Sequence, residues 1–228
     1  MSAAGGHRPS TPSLPERQIA VLRTHADRCA LLVVDVQRSF GDPEFLAGQG
    51  LGPDVLDAVA GAVRRCAGLV DRARAHGVPV VWVELESAPE SHWAASSWLH
   101  LGETGSPLPD PPCLRGTAGA QWYRLRPAAG ELRIVKRRYS GFVGTRLDAH
   151  LSAAGTAWVA VAGLTTECCV AATAFDAFQR DLPVVVPSDA TAAYSIPLHR
   201  ATLDSLARNA AIVMPAADLV RLWERVPA

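Results

Sequence analysis

The segment Cys29-Ala-Leu-Leu-Val-Val-Asp-Val36 is apolar and largely β-branched, without a break until Asp35. It shows no alternation, so a strand formed by it must be covered on both faces, as central strands of parallel sheets are. Parallel neighbours cannot be joined by a hairpin and need a crossover, usually a helix. This one run therefore commits the chain to an α/β architecture, and the remaining residues comply. Val78 to Leu85, Glu131 to Lys136, Trp158 to Ala162, Leu182 to Val186 and Ala211 to Met214 read as five further strands. Between them lie helical patterns over Pro53 to His76, Thr145 to Ala153, Cys169 to Phe178 and Pro197 to Asn209, with a closing helix over Pro215 to Arg225. The 53–76 pattern carries Val55, Leu56, Val59, Val63, Cys66, Leu69, Val70 and Ala73 on one stripe and stops at Gly77, as a helix C-cap would. Six strands alternating with helices predict a three-layer sandwich around a six-stranded, mainly parallel sheet.

At 228 residues, with 49% hydrophobic and 19% charged side chains, the chain suits one globular α/β domain. Residues 1–27 are expected to be an arm, Gly/Ser/Pro-rich to about residue 13, followed by a short helix over Leu14 to Ala26; residues 28–228 form the domain. Acidic and basic residues balance at 22 each, which supplies no electrostatic reason for a nucleic-acid or anionic-membrane partner. No window approaches the ~18 apolar residues of a membrane span. The N-terminus lacks the apolar core of a secretory signal. Five cysteines, none in zinc spacing, fit a reduced compartment, so a cytoplasmic protein with free thiols is expected. Ser87 to Arg126, rich in Pro and holding Trp93, Trp98 and Trp122, reads as a long irregular loop. Its tryptophans are expected to pin it to the surface in at least two cases.

Ligands of open α/β sheets bind outside the carboxyl ends of the strands. Asp35 and Lys136 stand at such ends. After the strand at Trp158–Ala162, the chain breaks at Gly163, passes Thr165 and Thr166, and enters a helix through Cys168 and Cys169. Free N–H groups and the positive end of the helix dipole gather at such a place and can lower a thiol's pKa. Each feature has a plainer reading: Asp35 as a turn residue, the cysteines as small core residues. Together, a carboxylate, an ammonium and a thiol at three neighbouring strand ends suggest a Cys/Asp/Lys site.

The stretches LLVVDVQRSF (31–40), GTAGAQ (116–121), VKRRYSGFVGTRLDAHL (135–151), AGLTTECCVAATAFDA (162–177) and PSDATAA (187–193) occur in this order. With them the chain resembles the isochorismatase-like cysteine hydrolases, whose amidohydrolase branch includes N-carbamoylsarcosine, ureidoacrylate and biuret amidohydrolases. The resemblance runs from about Ala30 to Met214 and implies a Rossmann-like fold and a cysteine-dependent hydrolase of C–N bonds in small amides, carbamoyl compounds or ureides. It selects Cys169, which directly precedes Val170, as nucleophile, and leaves Cys168 to core or supporting duty. It implies Asp35 as general base and acid, and Lys136 as the cation between them. It implies a cis Leu164–Thr165 bond that aims the N–H groups of Thr165 and Cys169 at an oxyanion. Phe40, Tyr139 and Trp93 are candidate substrate contacts; Arg137, Arg138 and Arg200 are weaker ones.

Two departures narrow the substrate. The Asp/His metal pattern of nicotinamidases is missing: the second strand runs into Glu84 and Glu86, and the only His residues near it are His92 and His100. No metal and no cofactor are expected. Vinyl-ether-cleaving isochorismatases lack the cysteine, so that activity, like a non-catalytic role, stands as an alternative. The family implies a homo-oligomer, dimer or tetramer.

Overall fold

The computed structural model describes residues 14–88, 90, 93–99 and 111–224. In chain order these form α1 (Leu14–Thr24), β1 (Cys29–Val34), α2 (Arg38–Gly41), α3 (Pro43–Leu46), α4 (Pro53–Ala75), β2 (Val80–Leu85) and α5 (Ala94–Leu99). There follow β3 (Leu132–Lys136), α6 (Leu147–Ala153), β4 (Trp158–Leu164), α7 (Ala171–Phe178), β5 (Val184–Pro187), β6 (Thr191–Ala192), α8 (Ile196–Asn209), β7 (Ile212–Met214) and α9 (Ala216–Trp223). The sheet runs β3-β2-β1-β4-β5-β7, and every pairing in it is parallel. It has one strand more than the six expected. The extra one, β6, is two residues long and pairs with Gly163 and Leu164 at the end of β4, too short to leave a periodic signal.

β1 and β4 are buried along their whole length, as uninterrupted apolar runs require. Successive side chains point to opposite faces, and the core divides accordingly. Cys29, Leu31 and Val33 of β1 join Trp158, Ala160 and Ala162 of β4 under α4 and α9, where Leu22 of α1 also packs. Ala30, Leu32 and Val34 join Val159 and Val161 under α6, α7 and α8. The two layers of helices on one sheet make the expected sandwich. The edge strand β3 exposes Arg133 and Val135 while burying Ile134 and Lys136.

The order of winding locates the site. From β1 the chain builds outward through β2 and β3, then returns to place β4 on the other side of β1. Between β1 and β4 the direction of winding reverses, and a crevice opens outside their carboxyl ends.

The expected loop over 87–126 is not irregular throughout, since Ala94–Leu99 forms α5. That helix has no amphipathic stripe to betray it, for Trp98 and Leu99 are both exposed. Trp122 does pin the loop: it meets Trp82 edge-to-face at 4.7 Å, and its Nε1 donates to Glu84 at 2.9 Å. Trp93 is pinned by Tyr139, whereas Trp98 is 74% exposed.

Candidate active site

Asp35 follows β1 directly and turns the chain with φ +50, a left-handed conformation uncommon for residues other than glycine. Its N–H still donates to Val83 O at 2.8 Å, so the ladder to β2 holds while the backbone beyond veers away. The strand pairing lost there is replaced by a side chain. Gln37, 1% exposed, accepts from Leu85 N at 2.9 Å and donates to Leu85 O at 3.0 Å and Ala120 O at 2.9 Å. One amide thereby joins the ends of β1 and β2 to the 118–120 turn.

Lys136, the last residue of β3, extends its stem across the end of β2. Its ammonium stands 2.7 Å from Asp35 Oδ2, 3.4 Å from Cys169 Sγ and 3.0 Å from the Arg138 carbonyl. The contacts to the sulfur and the carbonyl are hydrogen bonds, and that to Asp35 is an ion pair. Asp35 and Lys136 have no exposed surface, and Cys169 is 5% exposed. Neither Asp35 oxygen has a hydrogen bond of good angle, so the ion pair at 2.7 Å is what holds this buried carboxylate.

Cys169 arrives on a single π-helical turn, Thr166–Val170. The amides of Cys168 and Val170 both donate to the Thr165 carbonyl, at 3.3 and 3.1 Å, which widens the turn; such π turns recur at functional sites. The Leu164–Thr165 peptide is cis. Gly163 makes the approach possible: its φ is +127, and a Cβ there would lie 2.0 Å from Val34 O. On the other flank, Gly141 N donates to Thr173 Oγ1 of α7 at 3.0 Å, tying the turn after β3 to the helix that follows Cys169.

The protonation pattern departs from the expectation of a lowered thiol. The neighbouring Cys168 side chain, burial and the Asp35 charge together raise Cys169 well above an ordinary thiol, against the pull of Lys136. A negative charge next door and loss of water outweigh one cation. Burial likewise raises Asp35, and Lys136 only partly opposes it. Lys136 is held in its charged form, its ion pair with Asp35 overcoming the cost of burial. Burial and neighbouring charge thus favour the ammonium at Lys136 and the thiol at Cys169, while the Lys136 ion pair opposes protonation of Asp35.

The family model described as "Isochorismatase domain" matches residues 29–218. The chain belongs to the isochorismatase family. Among its relatives is ureidoacrylate amidohydrolase RutB of Methylobacterium radiotolerans, 33% identical over 190 residues, covering 77% of this chain and 72% of that protein. A probable inactive nicotinamidase of Arabidopsis thaliana is 30% identical over 181 residues, covering 76% and 85%. The crystal structure of N-carbamoylsarcosine amidase from Thermoplasma acidophilum superposes with a TM-score of 0.65 at 28% identity, covering 83% of this chain and 96% of that one.

Around the trio of this isochorismatase-family chain, Trp93 and Tyr139 meet edge-to-face at 4.7 Å, and the Arg138 guanidinium lies 4.9 Å over the Trp93 ring. Tyr139, 43% exposed, stands within electrostatic reach of both Cys168 and Cys169. The Phe40 ring packs on the α4-side core, and its carbonyl accepts from Tyr194 OH at 3.0 Å. Arg137 is drawn towards Glu86 at 3.8 Å. Glu84 and Glu86, which stand at the end of the second strand, are ion-paired to Arg133 and Arg115; His92 and His100 lie outside the described residues. Among the described residues no cluster of three or more His, Cys, Asp or Glu could hold a metal ion, and no helix is long and apolar enough to cross a membrane.

Three neighbours were not anticipated. Tyr194 follows the PSDATAA stretch by one residue and lies within electrostatic reach of Glu167, Cys113, Cys169 and Asp35. His199 of α8 meets Thr166 Oγ1 at 2.8 Å through Nδ1, bracing the π turn. Glu167 sits on that turn, half-buried. An isolated Tyr, His or Glu in a loop or on a helix carries no spacing that marks it, and only the fold brings these to the strand ends.

Proposed function

We propose that this protein is a cysteine amidohydrolase that cleaves the C–N bond of a small amide, carbamoyl or ureido compound through a thioester, releasing ammonia or an amine. The observation that carries the reading is the Lys136 ammonium bridging Asp35 and Cys169 in a buried site. The names of the amidohydrolase relatives agree with it.

In the proposed cycle the Cys169 proton moves to Asp35 as sulfur attacks the substrate carbonyl carbon. The trio passes from carboxylate, ammonium and thiol to carboxylic acid, ammonium and thiolate without changing its net charge. This matters in a buried site, where creating uncompensated charge is costly. The raised Asp35 carboxyl suits both halves of the task, accepting a proton and later giving it up. The N–H groups of Thr165 and Cys169 would hold the oxyanion; one such donor is typically worth ~2.7–4 kcal/mol in the transition state. As the C–N bond breaks, Asp35 protonates the departing nitrogen. Water then gives a proton to Asp35 and attacks the thioester, the acid product leaves, and the proton returns to sulfur.

The test is ammonia release from a panel of primary amides and ureides. Turnover by the wild type, abolished in Cys169→Ser with an unchanged melting profile, is the expected result. Activity that survives loss of Cys169 but not of Asp35 would point instead to ether hydrolysis of the isochorismatase kind. Since a relative carries the name of an inactive nicotinamidase, a non-catalytic role is the other competitor. No turnover of any amide in the panel by a folded wild type would favour it.

A further inference from the structure

Among the described residues every buried or half-buried carboxylate but one has a cation beside it, as Asp35 has Lys136, Glu84 has Arg133, Glu86 has Arg115, Glu131 has Arg74 and Asp42 has Arg38. Glu167 is the exception. It lies two residues before Cys169 on the π turn, its Oε2 is buried with no hydrogen-bond partner, and no Lys or Arg among the described residues pairs with it. The Thr165 hydroxyl and its own backbone N–H serve its carboxyl in part. Unpartnered buried carboxylate oxygens are rare and costly, and active sites are where they persist, because the ligand completes them.

The groups around Glu167 give its direction. On its own turn stand Thr165 and Cys168; from the segment after β6 comes Tyr194, and from α8 comes His199, which is engaged with Thr166 and which burial keeps from protonating. Tyr194, with its hydroxyl fixed to the Phe40 carbonyl, is in reach of Glu167 and also of Cys169 and Asp35. The carboxyl group and the sulfur, two residues apart on the π turn, are therefore both within electrostatic reach of one phenol. No Lys or Arg among the described residues pairs with Glu167, so its Oε2 is an acceptor that no protein donor reaches.

We propose that Glu167 is a specificity-determining residue that accepts a hydrogen bond from a nitrogen-bearing donor on the substrate, an ammonium or an N–H of a guanidino or ureido group, placed away from the scissile carbonyl. This rests on the amidohydrolase reading and adds to it the class of substrate: amides with a second, donor nitrogen. It also explains why a carboxyl group is tolerated there without a protein partner.

The experiment compares matched primary amides, glycinamide against propionamide and 4-aminobutyramide against pentanamide, with the wild type, Glu167→Gln and, as control, Glu224→Gln at the end of α9. The donor-bearing member of at least one pair is expected to have the higher kcat/KM in the wild type. That preference should fall about tenfold to a hundredfold in Glu167→Gln, mostly through KM, as loss of a charge-assisted hydrogen bond predicts, and should persist in Glu224→Gln. Equal ratios in wild type and Glu167→Gln overturn the proposal. If no amide in the panel is turned over, the amidohydrolase reading is in question, and the contact is read without chemistry. Propylammonium chloride should protect Cys169 from iodoacetamide better than 1-propanol does, and Glu167→Gln should lose that difference; no difference in the wild type overturns the inference.

Discussion

Replacing Gln37 with leucine tests the way the site is assembled. The side chain fills similar space but removes three hydrogen bonds, those with Leu85 N, Leu85 O and Ala120 O, at 2.9, 3.0 and 2.9 Å. Each ordinary bond contributes ~0.5–1.5 kcal/mol net, while each buried backbone group left without a partner costs ~1–3 kcal/mol. Because relaxation will rescue part of this, the expected loss is about 3–5 kcal/mol, or roughly 6–20 °C in Tm for a chain of this size. Denaturant unfolding of both proteins measures it. The joint between the β1 and β2 ends also fixes the corner at Asp35, so any amidase activity should fall in kcat more than in KM. A destabilisation below ~1 kcal/mol would refute the claim that this amide stands in for a missing strand pair.

Other outcomes follow from charge and burial. Iodoacetamide applied to the native protein should label Cys168 and Cys169, and mass spectrometry should find Cys29, Cys66 and Cys113 unmodified until unfolding; burial shields these three and pushes the Cys66 thiol up to about 12. Glu131 is held down at about 2, first by its hydrogen bond from Arg74. Its folded value lies below its unfolded one, so its stabilisation is present at neutral pH and is lost as pH falls from about 4.3 towards 2. Glu131→Gln should therefore be less stable than the wild type at pH 7 and converge with it near pH 2, as acid-unfolding curves would show. Lys136→Met leaves Asp35 buried without its cation, which typically costs ~3–5 kcal/mol. Burial already raises Asp35, and loss of the cation raises it further. The variant should therefore lose stability as pH rises through the folded value and recover some of it in acid; a pH-independent deficit would contradict this.

Much of this architecture is legible in the residues. Unbroken apolar runs such as Cys29–Val34 and Trp158–Leu164 can sit only in a covered sheet, and a charge at the end of such a run, as at Asp35 and Lys136, has no packing rationale. The choice between Cys168 and Cys169 was open on local chemistry, because both stand at the same turn; the family resemblance pointed to Cys169, and in the fold it is Cys169 that Lys136 reaches. The sign of the thiol's shift was misjudged because a helix end and a lysine are visible in sequence, whereas the loss of water and the nearness of Asp35 are three-dimensional facts. Strand β6 and helix α5 escaped notice for want of length or amphipathic pattern. Glu167 and Tyr194 escaped because nothing local distinguishes a half-buried acid or phenol from a solvated one.

The division of the core has a consequence for how this protein can change. Cys169 belongs to one hydrophobic layer, with Val170, Ala171 and Ala174 beneath α7, while Val36, next to Asp35, belongs to the other, beneath α4. The thiol and the carboxylate thus have separate foundations on opposite sides of the sheet and meet at its rim. Repacking the α4 side would shift Asp35 against a stationary sulfur, and repacking the α7 side the reverse. Drift in either half of the interior is registered at the rim as misalignment, so the two layers are bound to vary together.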